Sequence, residues 1–167
     1  MLLEQIYFIA EIISAIAVIL SLVYVGYQIK LNTAEKRVDS VQSIISGWNR
    51  LTLIYIENEK VGEAWRKVMG REELNNTQLN LMAHIIFAHL MLLEEVYNKY
   101  QAGYLDDEFL NARIKVIQFL LLNTPQVREL GAGMIRGGIF TQSFVNWLEI
   151  ELQKSKMYDE TPELVKS

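Results

Sequence analysis

Ile6 to Ile29 read IYFIAEIISAIAVILSLVYVGYQI, and Glu11 is the sole charged side chain among these 24 positions. A bilayer core about 30 Å thick is crossed by about 20 helical residues rising roughly 1.5 Å each. Tyr7 and Phe8 near one end, and Tyr24 and Tyr27 near the other, stand where interfacial aromatic belts form. Two other readings compete with a membrane span. A cleaved signal peptide needs a basic start and a shorter apolar core. Here Glu4 is the one charge before the run, and Ala15-Ile16-Ala17 is a cleavage-like triplet with apolar sequence continuing well beyond it. A buried core helix, which Glu11 would suit, is the other competitor. The stretch is expected to be a transmembrane helix, making residues 1–31 a membrane anchor.

Charge sets its expected orientation. Lys30, Lys36 and Arg37 follow the run closely and no Lys or Arg precedes it. The positive-inside tendency then places the N-terminus outside and the rest of the chain in the cytoplasm, on the plasma (inner) membrane. Ala10, Ser14, Ala17 and Ser21 fall at i, i+4, i+7 and i+11, one stripe of small side chains on a helix. Small residues at this spacing let two membrane helices approach closely, and serine hydroxyls can bond across such a contact. Small residues are also common in membrane helices without consequence. Glu11 is an intramembrane carboxylate, which is costly unless it finds a partner or reaches the headgroups.

Outward from the span, composition points to helix. Nine Gly and two Pro in 167 residues leave few breakers. Cysteine is absent, which excludes disulfides, thiolate metal sites and a Cys nucleophile. Residues 31–167 hold 15 basic and 18 acidic side chains, with no basic stripe, so nucleic acid is not an expected partner.

Asn32 with Glu35 offers a capping box for a helix over 33–57; alternatively the span runs straight through. Val38, Val41, Ile45, Trp48, Thr52 and Tyr55 give that segment an apolar face. Asn58 can cap a helix over 59–69 that buries Val61, Trp65 and Val68 and stops at Gly70. Asn76 or Thr77 starts the next, to about Gln101. Its apolar run 81–93 is short for a membrane span and predicts the central helix of a bundle, with a second membrane span as the alternative. Asp106 caps a helix over 107–122, and Thr124-Pro125 opens a short one expected to fail at Gly131. Residues 131–138, GAGMIRGG, are expected to be a flexible turn. Thr141 then caps a last helix to about Lys154, burying Phe144, Trp147, Leu148 and Leu152. The fold class is therefore all-α: one N-terminal transmembrane helix, then a bundle of about five to six helices over 32–154, with a polar tail over 155–167.

The chemistry-bearing residues are few. His84 and His89 lie five apart, about 140° around a helix, and cannot share a metal. Neither has a Glu three positions before it, which excludes the di-iron bundle pattern. His84 shares a polar stripe with Thr77, Asn80 and Glu95 and is expected to face solvent. His89 shares an apolar one with Met82, Ile85, Leu93, Val96 and Tyr100. It is expected to be a buried core histidine, with a pH-responsive role as the alternative. Glu72-Glu73, Glu94-Glu95 and Asp106-Asp107-Glu108 are read as solvated faces or caps rather than as general acids and bases. GAGMIRGG lacks the preceding strand that a phosphate-cradling glycine motif requires. No catalytic residue, cofactor site or metal site is expected.

YVGYQIKLNT at 24–33, SIISGWNRL at 43–51, EEVYNKYQAGYLDDEFL at 94–110 and NTPQVREL at 123–130 together resemble a widespread group of small uncharacterised bacterial membrane proteins. Its members carry one N-terminal span of the form Y-x-x-x-Q-I-(R/K)-x-N-T and a helical cytoplasmic domain. The resemblance covers roughly residues 16–152. It departs at GAGMIRGG, where the group shows a Trp-rich basic segment. It implies architecture and membrane location and carries over no catalytic residue.

The function expected is a membrane-anchored interaction or scaffold module, partnered by the bilayer and by a second copy or another membrane subunit. An accessory subunit of a larger complex, a pore-forming stress effector with Glu11 and the serines facing inward, and an enzyme with a pocket near His89 are the rivals.

Overall fold

The computed structural model describes residues 2–155, and every regular element among them is an α-helix. These are α1 (Leu2–Glu57), α2 (Glu59–Met69), α3 (Asn76–Gln101), α4 (Asp107–Leu122), α5 (Pro125–Arg136) and α6 (Gln142–Gln153). All of the expected polar tail after Ser155 lies outside the described residues. The chain forms two compact units, Met1–Asp39 and Ser40–Ser167.

The first unit is the N-terminal part of α1. Of the two readings left open at Asn32, the continuous helix is the one observed: no Gly or Pro interrupts residues 27–46. The Thr33 hydroxyl donates back to the Ile29 carbonyl at 2.8 Å, a bond made within a helix rather than at a cap. Large apolar side chains on every face are exposed, from Leu3 to Val38. Both α1 and α3 are long and apolar enough to cross a membrane, but they differ in burial. Inside the chain, none of the apolar window of α1 is buried, against 39% of that of α3.

In the second unit α3 packs against α2, α4 and α5, and α4 also packs against α5. Met82, Ile86, Leu90, Leu93 and Val96 of α3 are fully enclosed, as a central bundle helix requires. The last part of α1 buries only part of the expected face: Val41, Trp48 and Tyr55 pack on the core as expected, but the face is rotated. Ile44, Trp48 and Leu51 are inside, whereas Val38, Ile45 and Thr52 are exposed. Apolar residues encircle most of this segment, so periodicity alone does not choose a face. Gly47 does: a Cβ built there would stand 2.7 Å from Cδ2 of Leu92, so its bare backbone admits α3's side chain.

Side chains close the helix ends much as expected. Asn58, Asp106 and Thr124 accept the backbone N–H of Val61, Phe109 and Val127. α3 starts at Asn76, the first of the two expected positions, and Asn75 is its cap in a reciprocal box with Gln78. Gln126 clamps the connection before α3. Its Oε1 accepts the Leu74 N–H at 2.8 Å and its Nε2 donates to the Leu74 carbonyl at 3.2 Å. Asn123, buried, donates to the Val68 carbonyl at 2.6 Å and ties the end of α4 to α2.

The break expected at Gly131 does not occur. α5 continues to Arg136, and the chain turns at Gly138, whose φ is 72°. Gly131 is buried, and a Cβ there would lie 2.5 Å from Leu121 Cδ2. That glycine lets α5 approach α4 closely; it does not loosen the helix.

Glycines that differ in surroundings should respond oppositely to alanine. Gly133 is exposed in α5, and an alanine methyl there would have nothing within 4 Å, whereas at Gly62 a Cβ meets the Tyr55 carbonyl oxygen at 2.7 Å. Gly133→Ala is expected to stabilise by about 0.5–1 kcal/mol through the unfolded chain. Gly62→Ala gains the same helix preference but forces backbone to move, at about 1–3 kcal/mol, and should lower the unfolding midpoint. Thermal unfolding of both variants checks the contrast. A stabilised Gly62→Ala would contradict the close approach of α2 to the end of α1.

Candidate functional site

Ala10, Ser14, Ala17 and Ser21 are all exposed on α1, as is Glu11. The two serine hydroxyls are engaged within the helix, Ser14 donating to the Ala10 carbonyl and Ser21 to the Ala17 carbonyl, each at 2.8 Å. Within the single chain their protons are thus satisfied locally, and the stripe presents small side chains. Gln28 Nε2 donates to the Tyr24 hydroxyl at 2.8 Å at the other end of the same stripe.

His89 is 5% exposed in the bundle core. Its Nδ1 lies 2.8 Å from the Ile85 carbonyl oxygen. A carbonyl only accepts, so Nδ1 carries the proton, and in the neutral ring Nε2 is the lone-pair nitrogen. Trp48 meets the imidazole edge-on, with centroids 5.2 Å apart and planes at 80°. Tyr55 sits 6.1 Å away and packs in turn on Trp65 of α2 at 4.5 Å. From α4, the Arg113 guanidinium lies 5.5 Å from the Trp48 ring and 4.9 Å from Phe109. Burial pushes the His89 pKa below its usual 6.5, opposed by the bond to Ile85. Burial also raises the Tyr55 hydroxyl well above the ordinary phenol value.

The sequence places His89 in the core but does not give Tyr55 and Trp48 as its neighbours, nor Arg113 as the neighbour of Trp48. The spacing of Trp48 and Tyr55, seven apart on one helix, held part of that information. Arg113 offered none, because its partners come from α1 and from its own preceding turn.

The remaining candidates have local duties. His84 is exposed. Glu94 accepts both the Thr141 N–H, at 2.8 Å, and its hydroxyl, at 2.7 Å. Thr141 therefore makes no side-chain cap of its own, and α3 supplies the carboxylate at the start of α6. Glu95 pairs with Lys99 at 2.7 Å. Asp107 accepts the Tyr100 hydroxyl at 2.6 Å, which holds that phenol's proton above its usual range. Among the described residues no group of three His, Asp or Glu side chains is placed to hold a metal ion.

Two surface cavities flank α5. One of about 210 Å³ is lined by Leu121, Arg128, Arg136, Glu149 and Leu152. The other, about 600 Å³, is lined by Leu79, Gln126, Leu130, Met134 and Ile139. Neither touches His89. Comparison of the chain with protein-family models, with curated proteins and with solved structures finds no match.

Proposed function

We propose that this chain is a single-pass, membrane-anchored interaction module, not an enzyme, whose N-terminus faces outward and whose helical bundle lies in the cytoplasm. The bilayer is its first partner. A second copy of the same chain, packed along Ala10, Ser14, Ala17 and Ser21, is its second. One observation supports the anchor above others. The apolar side chains of residues 6–29 are exposed on every face of α1, an arrangement that water penalises and hydrocarbon does not. Small side chains on one face support the self-association, since they allow close van der Waals approach where lipid gives no hydrophobic drive.

Ser14→Leu with Ala17→Leu keeps the span apolar while filling the stripe. Self-association in a membrane reporter assay is expected to fall several-fold, with membrane insertion unchanged. An unaltered signal removes the self-association; capture of a different membrane subunit by both forms would replace the second copy by that partner.

A further inference from the structure

We propose that His89 is a proton-operated latch, which while neutral holds residues 44–55 of α1 against α3 and on protonation releases them. The geometry places the imidazole behind α1 rather than at the surface. Trp48 covers it edge-on at 5.2 Å and Tyr55 approaches at 6.1 Å, so α1 supplies both aromatic walls. Nδ1–H is already committed to the Ile85 carbonyl. A second proton must therefore go on Nε2, among rings that offer it no carboxylate.

The groups packed at this cluster offer an imidazolium no counter-charge. From α1 comes the Tyr55 hydroxyl, which is buried and makes no hydrogen bond. From α4 comes Arg113, a cation whose guanidinium lies against Trp48 and whose Nε also makes no bond. α2 contributes Trp65, which does not titrate, and α3 contributes only the Ile85 carbonyl. Among the described residues no Asp or Glu is bonded to any of them. An imidazolium here would be enclosed by aromatic rings with no counter-charge bonded to it, an arrangement a protein relieves by opening to water. Residues 44–55 are the cover that lifts, because both rings over the imidazole, Trp48 and Tyr55, belong to them.

Linkage fixes the sign. A histidine whose pKa is depressed while covered regains its ordinary value, 6.5, once uncovered. Closure is then fully favoured above that value and weakens as pH falls through it, by up to tenfold per pH unit until the covered ring itself protonates.

The test is hydrogen exchange on the full-length protein in detergent micelles, corrected to protection factors, between pH 7.5 and 5. Amides of 45–55 are expected to lose protection by several-fold to tenfold per unit below pH 6.5, while those of α5 hold theirs. In His89→Phe, which keeps an aromatic ring without a titrating nitrogen, the same amides should show a flat profile. His89→Gln serves the same purpose where the larger ring is not accommodated. A flat wild-type profile overturns the latch, as does an unchanged slope in either variant or a parallel loss in α5, which would mark general acid unfolding.

Discussion

Phe144→Ala is expected to cost the bundle about 3–5 kcal/mol, the usual range for truncating an enclosed aromatic residue. Phe144 is fully buried and sits at the middle of a ring cluster, with Tyr97 at 5.8 Å, Phe140 at 5.7 Å and Trp147 at 5.9 Å. Three neighbouring rings of that size cannot all swing inward, so most of the vacated volume stays as a cavity and the transfer loss is compounded. Because a domain's whole stability is about 5–15 kcal/mol, this single truncation removes about a fifth of it or more. Thermal unfolding should show a fall on the order of 10 °C. Ile150→Ala on the same helix, at a side chain 54% exposed, should move the midpoint little. A Phe144→Ala loss under about 1 kcal/mol would mean that α6 does not close the core.

The contrast between those two residues also shows what periodicity can and cannot deliver. On α6 the polar positions Asn146, Glu149 and Glu151 leave one apolar face, and Phe144 and Leu148 are where the spacing puts them. On α1 after residue 40 the apolar residues are so many that the face was chosen by Gly47 and Leu92, a fact of two helices rather than of one. Gly131 makes the same point in reverse. A glycine in a helical pattern has two physical meanings, a weak backbone or a close neighbour, and only Leu121 at 2.5 Å distinguishes them. Caps were legible because they are local: Asn58, Asp106 and Thr124 act within three residues. The carboxylate at α6 was not, because Glu94 reaches Thr141 across 47 residues.

The candidate site divides along the same line. Burial of His89 followed from its stripe, since Met82, Ile85, Leu93 and Val96 share it and all are buried. Its walls did not follow, because Trp48 and Tyr55 reach it from another helix, α1, with Arg113 of α4 lying on Trp48 in turn. The small-residue stripe was visible as spacing, but its two serine hydroxyls turn back onto their own helix, which spacing does not fix.

Ile16→Lys together with Ile19→Lys is expected to move the full-length chain from the membrane pellet to the supernatant. Residues 6–29 hold thirteen Leu, Ile, Val and Phe side chains, each worth roughly 0.3–0.6 kcal/mol of insertion at the centre of a span, so their total is about 4–8 kcal/mol. Glu11 and Gln28 already draw on that sum. Each central Lys opposes insertion by about 2.5–3.5 kcal/mol, so the pair adds about 5–7 kcal/mol and removes two favourable side chains as well. The insertion balance changes sign, and since 1.4 kcal/mol is tenfold, the partition shifts by roughly four orders of magnitude or more. Snorkelling does not rescue a site about ten residues from either end, because a lysine stem falls well short of the roughly 15 Å to the headgroups. Ile56→Lys, on α1 but in the second unit and 74% exposed, supplies the control and should leave fractionation unchanged. If the double variant still sediments with lipid, or if the unaltered protein stays in solution without detergent, residues 6–29 do not lie in a bilayer, and their exposed face needs a protein partner instead.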